Sequence, residues 1–68
     1  MKNTINIAID GREANILNRV GSNVYAFEII TALAVLLENQ DNIKVTVLLA
    51  KDKVSDMPKE RKNWSYVV

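Results

Sequence analysis

Ile5-Asn6-Ile7-Ala8-Ile9-Asp10, then an eleven-residue polar loop, then Ser22-Asn23-Val24-Tyr25-Ala26-Phe27-Glu28-Ile29-Ile30: this stretch decides the fold. Ile5, Ile7 and Ile9 alternate with Asn6, Ala8 and Asp10, a period of two in β-branched residues, which predicts a strand over 5–10. The loop over 11–21 (Gly-Arg-Glu-Ala-Asn-Ile-Leu-Asn-Arg-Val-Gly) is longer than the two to six residues or so usual between a strand and a helix. Loops of that length more often carry function. Ser22 or Asn23 can cap a helix over 22–38, since either side chain accepts from an orphan N–H. The helix N-terminus offers free amides and partial positive charge, so strand, polar loop and helix together suit an anion or a sugar.

The helix should be roughly 25 Å long. On a wheel, Tyr25, Leu36, Ile29, Leu33, Leu37, Ile30 and Phe27 cover about 200°, twice the roughly 100° stripe of an ordinary surface helix. Glu28, Thr31 and Glu38 lie opposite. That is more apolar face than one sheet covers. Asn39-Gln40-Asp41-Asn42 is a polar turn. Lys44-Val45-Thr46-Val47-Leu48-Leu49-Ala50 predicts a second strand over 44–50, its near-continuous apolar run implying burial on both faces of a parallel sheet. Strand, helix and strand in that order form a right-handed crossover.

Residues 51–62 form a charged loop with five basic and three acidic residues and the only proline, Pro58. Asp56 can cap one short helical turn there. Trp64-Ser65-Tyr66-Val67-Val68 predicts a third strand over 64–68, with Trp64 and Tyr66 on one sheet face. The fold class expected is α/β, a βαβ unit with a short parallel sheet, making at most one small domain over 1–68.

Composition removes several chemistries. The 68 residues contain no cysteine and no histidine, so thiolate chemistry, a Ser-His-Asp arrangement and the common zinc ligands are absent. No catalytic residue, metal or cofactor is assigned. Nine basic and eight acidic residues leave a net charge of +1, which argues against nucleic acid as a partner. Met1-Lys2-Asn3 leads directly into a run too short for a signal-peptide core, and no apolar stretch approaches the roughly 18 residues of a membrane span. A cytoplasmic chain is expected.

The only glycines, Gly11 and Gly21, cannot write a dinucleotide fingerprint, and Asp52 beyond the second strand reads as a solvated charge. Arg12, Glu13, Asn15, Asn18 and Arg19 can bind a phosphate or sugar hydroxyls. Equally, Arg12 can pair with Asp10 or Glu13 while the others face water.

Ile7-Ala8-Ile9-Asp10-Gly11-Arg12-Glu13, followed by Gly21-Ser22-Asn23-Val24-Tyr25 and Ile29-Ile30-Thr31-Ala32-Leu33, resembles the start of family 4 glycosyltransferases. That family begins I-x-I-D-[AG]-R, then G-[IV]-G-x-Y entering a helix that continues L-L-x-A-L. Asp10, Arg12, Gly21, Tyr25, Ala32 and Leu33 match. Ser22 and Asn23 replace the hydrophobic residue and the second glycine, and Asn tolerates left-handed angles better than other non-glycine residues. The phrase from Asn18 to Glu28 looks like one bacterial branch of the family.

The resemblance implies a GT-B enzyme that transfers a sugar from a nucleotide-sugar donor to a sugar or lipid-linked acceptor, with retention and without a bound metal. It covers only the first part of the N-terminal domain, so residues 1–68 are expected to be a partial, Rossmann-like N-terminal domain. The family's donor-holding Glu-x7-Glu lies on the second domain, and no two glutamates here stand eight apart. By resemblance, Arg12, Gly21, Ser22 and Asn23 line the inter-domain cleft as substrate-binding residues. The chain is then expected to be an N-terminal fragment, inactive alone. The rival expectation is a small α/β interaction module that docks, or self-associates, through its wide apolar helix face.

Overall fold

The computed structural model describes residues 3–68. Its elements run β1 (Ile5–Asp10), α1 (Ser22–Leu36), β2 (Ile43–Leu48) and β3 (Trp64–Val67). The strands form one sheet in the order β1-β2-β3, parallel at both junctions. The chain is thus a small α/β protein with a three-stranded parallel sheet and one helix, an arrangement compatible with a βαβ unit. Among the described residues no helix is long and apolar enough to cross a membrane.

The elements are shorter than the sequence suggests. The helix ends at Leu36 rather than 38, because residues 37–39 tighten into a turn in which Glu38 N–H reaches Val35 O. The second strand is 43–48 rather than 44–50, and the third stops at Val67. No helical turn forms around Asp56, whose carboxylate is engaged by Arg19 instead.

Register fixes which side chains share a face. Ile7, Val45 and Trp64 stand in one row, and Ile9, Val47 and Tyr66 in the next. These rows face α1, and the core contains Ile30 and Ala34 of the helix with Val45, Val47, Leu49, Met57, Trp64 and Ala14. It is centred on β2 and β3, since Val45, Val47 and Trp64 are fully buried while Ile5 and Ile7 at the β1 edge stay exposed.

The opposite face carries Asn6 with Lys44, Ala8 with Thr46 and Ser65, and Asp10 with Leu48 and Val67. Leu48 is 44% exposed there, so β2 is buried on one face only. The near-continuous apolar run misled, because one helix can cover only one side of a sheet.

Two polar side chains anchor the far end of α1. Asn63, itself buried, donates through Nδ2 to the carbonyls of Leu37 (3.0 Å) and Gln40 (3.1 Å). Its Oδ1 accepts from Arg61 Nε at 2.7 Å, and Arg61 NH2 reaches the Ala34 carbonyl at 2.6 Å. Carbonyls left without intrahelical partners thereby gain donors, one of them cationic, at the negative end of the helix dipole.

Candidate functional site

The loop over 11–21 leaves β1 at the carboxyl edge of the sheet, where open α/β sheets place ligands. Gly11 opens it because nothing larger fits. Its N–H donates to Leu48 O at 2.9 Å, and a Cβ there would stand 2.3 Å from Cγ1 of Val47. Next comes a closed pair. Arg12 donates to Asp10 through Nε (3.0 Å), NH2 (2.8 Å) and its backbone N–H (3.1 Å). The guanidinium and these hydrogen bonds hold the Asp10 carboxyl down at about 2. Both side chains remain largely solvent-exposed.

Asn15 is buried and fully engaged. Nδ2 donates to the carbonyls of Lys51 (3.2 Å) and Asp52 (3.0 Å), and Oδ1 accepts from Val54 N–H at 2.8 Å. Arg19 is engaged too. It lies over the Phe27 ring at 3.6 Å, donates to Ala14 O at 2.7 Å, and grips both oxygens of Asp56 at 2.6 and 2.8 Å. This fork holds the Asp56 carboxyl below the usual carboxylate range. Asn15 and Arg19 therefore fasten the loop to residues 51–56 and are not free for a ligand.

Gly21 makes the entry to α1 at φ 55°, ψ −124°, the angles of the first central residue of a type II′ turn. It is the N-cap residue, and no side chain caps the helix. The expected capping by Ser22 or Asn23 does not occur, because both residues already lie within the first turn and turn their side chains to Glu13. Ser22 Oγ donates to Glu13 Oε1 at 2.7 Å, and Asn23 Nδ2 to the Glu13 carbonyl at 3.1 Å. Asn23 has no left-handed backbone, since Gly21 is the only described residue with positive φ. Asn23 N–H meets Val20 O and Val24 N–H meets Gly21 O, so the turn satisfies much of its own helix terminus.

Two hollows follow this edge. One of about 460 Å³ is lined by Asp10, Arg12, Glu13, Ile16 and Ala26. The other, about 170 Å³, is lined by Arg12, Asn15, Ile16, Ala50 and Lys51. Arg12 and Ile16 belong to both, so the pair forms one shelf. Of the residues expected to bind substrate, Arg12 sits on the shelf. Gly21, Ser22 and Asn23 lie behind Glu13 and line neither hollow.

Ile16, Ala26 and Lys51 were not legible as lining residues, because an apolar loop residue and a lysine carry no chemical signature in sequence. The described residues hold no cluster of acidic ligands for a metal ion. The chain matches no protein-family model, no curated protein and no solved structure.

Proposed function

We propose that this chain is the opening segment of a family-4-type, GT-B glycosyltransferase, and that the shelf at the carboxyl edge of its sheet receives the phosphate and sugar groups of a nucleotide-sugar donor or its acceptor. The observation that carries the reading is the placement of Arg12. It stands two residues after the β1 carboxylate, is pinned by Asp10 through Nε and one terminal nitrogen, and keeps a largely exposed side chain that lines both hollows with its other terminal nitrogen unpaired among the described residues. A guanidinium held in a fixed plane suits phosphate or vicinal hydroxyls. Lys51 at the far wall of the smaller hollow forms no ion pair among the described residues and adds a second cation.

Glu13 sets the chemistry of the remaining wall. Its carboxylate accepts from Ser22 at the first turn of α1, so the protein supplies its own anion to the helix terminus. A phosphate would then meet Arg12 and Lys51, while Glu13 is left to accept from hydroxyls. A cytoplasmic setting belongs to this reading, since nucleotide sugars are its substrates.

The test is titration of the isotopically labelled 68-residue chain with inorganic phosphate, uridine diphosphate and guanosine diphosphate. Shifts concentrated at Arg12, Ile16 and Lys51 support the shelf. Shifts spread evenly over Lys44, Lys59 and Lys62 defeat it. The chain alone should release no nucleotide diphosphate from any nucleotide sugar, because positioned electrostatics carry most of such a rate and the family's donor-holding half is not among these residues. Turnover by purified monomer would overturn the fragment reading.

A second reading, a docking module, is favoured by the large apolar side chains that α1 turns to solvent.

A further inference from the structure

Five of the residues that α1 leaves exposed are spaced as a seam. Ser22, Tyr25, Ile29, Ala32 and Leu36 recur at intervals of three and four, the a and d positions of a heptad. The helix's own core uses a different stripe, with Ile30 and Ala34 buried and Phe27 and Leu37 packed beside them. Along the seam Tyr25 is 69% exposed, Ile29 43% and Leu36 71%, and Val35 beside it is 62% exposed. A hollow on this outer surface, lined by Phe27, Glu28, Thr31, Ala32, Val35 and Leu36, is almost wholly apolar.

We infer that this seam is an interface for a second copy of the chain, the two α1 helices packing antiparallel about a two-fold axis between residues 30 and 31. The register is set by the sequence. In an antiparallel pair a positions meet d positions, and here Tyr25 falls opposite Leu36 of the copy while Ile29 falls opposite its Ala32. Both pairings close on the same axis, so the patch is self-complementary, as an isologous contact requires. The small Ala32 against Ile29 lets the helices approach closely at the centre, and the Tyr25–Leu36 layers fill the ends where crossing helices diverge.

A parallel pair would instead stack Tyr25 on Tyr25 and Ala32 on Ala32, alternating a crowded layer with an empty one. The flank offers only one charge, Glu28, so little opposes burial.

Taking roughly 200 Å² for the tyrosine and roughly 100 Å² for each aliphatic side chain, the exposed fractions of Tyr25, Ile29, Val35 and Leu36 amount to roughly 300 Å² per copy. A pair buries roughly 800 Å² once polar margins are added, short of the roughly 1,200 Å² of a stable interface and in the range of weak, transient ones. The dimer should therefore form and dissociate with concentration rather than be permanent. This inference does not depend on the ligand reading.

Sedimentation equilibrium on the 68-residue chain should show a reversible monomer–dimer equilibrium. Ile29→Glu places an unpaired carboxylate beside the axis and should raise the dissociation constant roughly a hundredfold or more. Because Ile29 is already partly exposed, that variant should keep the wild-type circular dichroism, and Leu48→Glu, on the sheet face away from α1, serves as the control that leaves dimerisation intact. The chain has no cysteine, so orientation is read by cross-linking. Tyr25→Cys chains mixed with Leu36→Cys chains should form an interchain disulfide, whereas either variant alone should form little.

A wild-type monomer throughout, a dimer that survives Ile29→Glu, or open-ended assembly through the β1 edge would overturn the proposal. Efficient cross-linking of Tyr25→Cys by itself would overturn the antiparallel arrangement.

Discussion

Gly11→Ala adds one methyl group where the loop backbone lies against the central strand. The new carbon would lie 2.3 Å from Cγ1 of Val47, 3.1 Å from Cδ2 of Leu49 and 3.6 Å from the Leu48 carbonyl oxygen. Unbonded carbons rest at about 3.5–4.0 Å, so the methyl or the valine must move by more than about 1 Å. Neither can move freely. Val47 is fully buried on the central strand between Ile9 and Tyr66, and its branched side chain has few rotamers in a strand. Backing Gly11 away would break its 2.9 Å hydrogen bond to Leu48 O.

Overpacking of this kind costs about 1–3 kcal/mol, and the rigidity of both partners places it at about 2–3 kcal/mol. A chain of this length commands only about 3–5 kcal/mol in all. In urea the unfolding midpoint of Gly11→Ala should fall by about half or more with an unchanged slope. Val47→Ala, which removes the obstructing methyl, should rescue part of the loss. The double variant should be more stable than the sum of the singles by about 1–2 kcal/mol. Gly11→Ala costing less than about 0.5 kcal/mol, or strict additivity in the cycle, would refute the close approach of loop and strand.

Gly21→Ala meets open space but must hold φ 55°, ψ −124°, so it should cost about 1–2 kcal/mol by backbone strain alone, with no rescue from any neighbouring truncation. Asn15→Ala should cost about 2–3 kcal/mol, since it strands two carbonyls and one N–H of the 51–54 segment, and amide exchange should accelerate first at Val54. The Asp10 carboxyl should titrate with a midpoint near 2 by carbon-detected NMR and return towards 3.8 in Arg12→Ala. Because the folded value is depressed, whatever stability the pair adds is present above the unfolded value near 3.8 and is lost as pH falls through about 2. A midpoint near 3.8 in the native chain would mean that Asp10 and Arg12 do not pair in solution.

The parts legible in sequence were those written locally. The alternation of Ile5, Ile7 and Ile9 is a property of six adjacent residues, and the apolar excess of the helix is a property of its fifteen, which the structure exposes at Tyr25, Ile29 and Leu36. The Asp10–Arg12 pair spans three residues and was one of the two readings open. What failed to show was long-range pairing of polar groups. Arg19 resembles any loop cation until Asp56, thirty-seven residues on, is brought beside it. Asn15 likewise looked ligand-ready, and its partners are backbone atoms that no residue type announces. The fate of Ser22 was hidden for a related reason, because two carboxylate-free capping schemes and a bond to Glu13 are equally written in the same letters.

The helix is fastened at both ends by one segment of chain. Asp56 holds Arg19 before the first turn, and Arg61 with Asn63 holds the last, so residues 51–63 span the length of α1 like a handle. During synthesis the first strand, the helix and the second strand all leave the ribosome before any of these fastenings exists. The Ala34 carbonyl must wait for Arg61, the C-cap carbonyl of Leu37 gains its second donor only with Asn63, and the tryptophan that completes the core is the very next residue. At about 5–20 residues per second, the nascent chain spends on the order of a second with its apolar helix made but unfastened. In that interval the core side of the helix, Ile30 and Ala34, is exposed along with the face that stays exposed afterwards, and early chaperone contact should concentrate there.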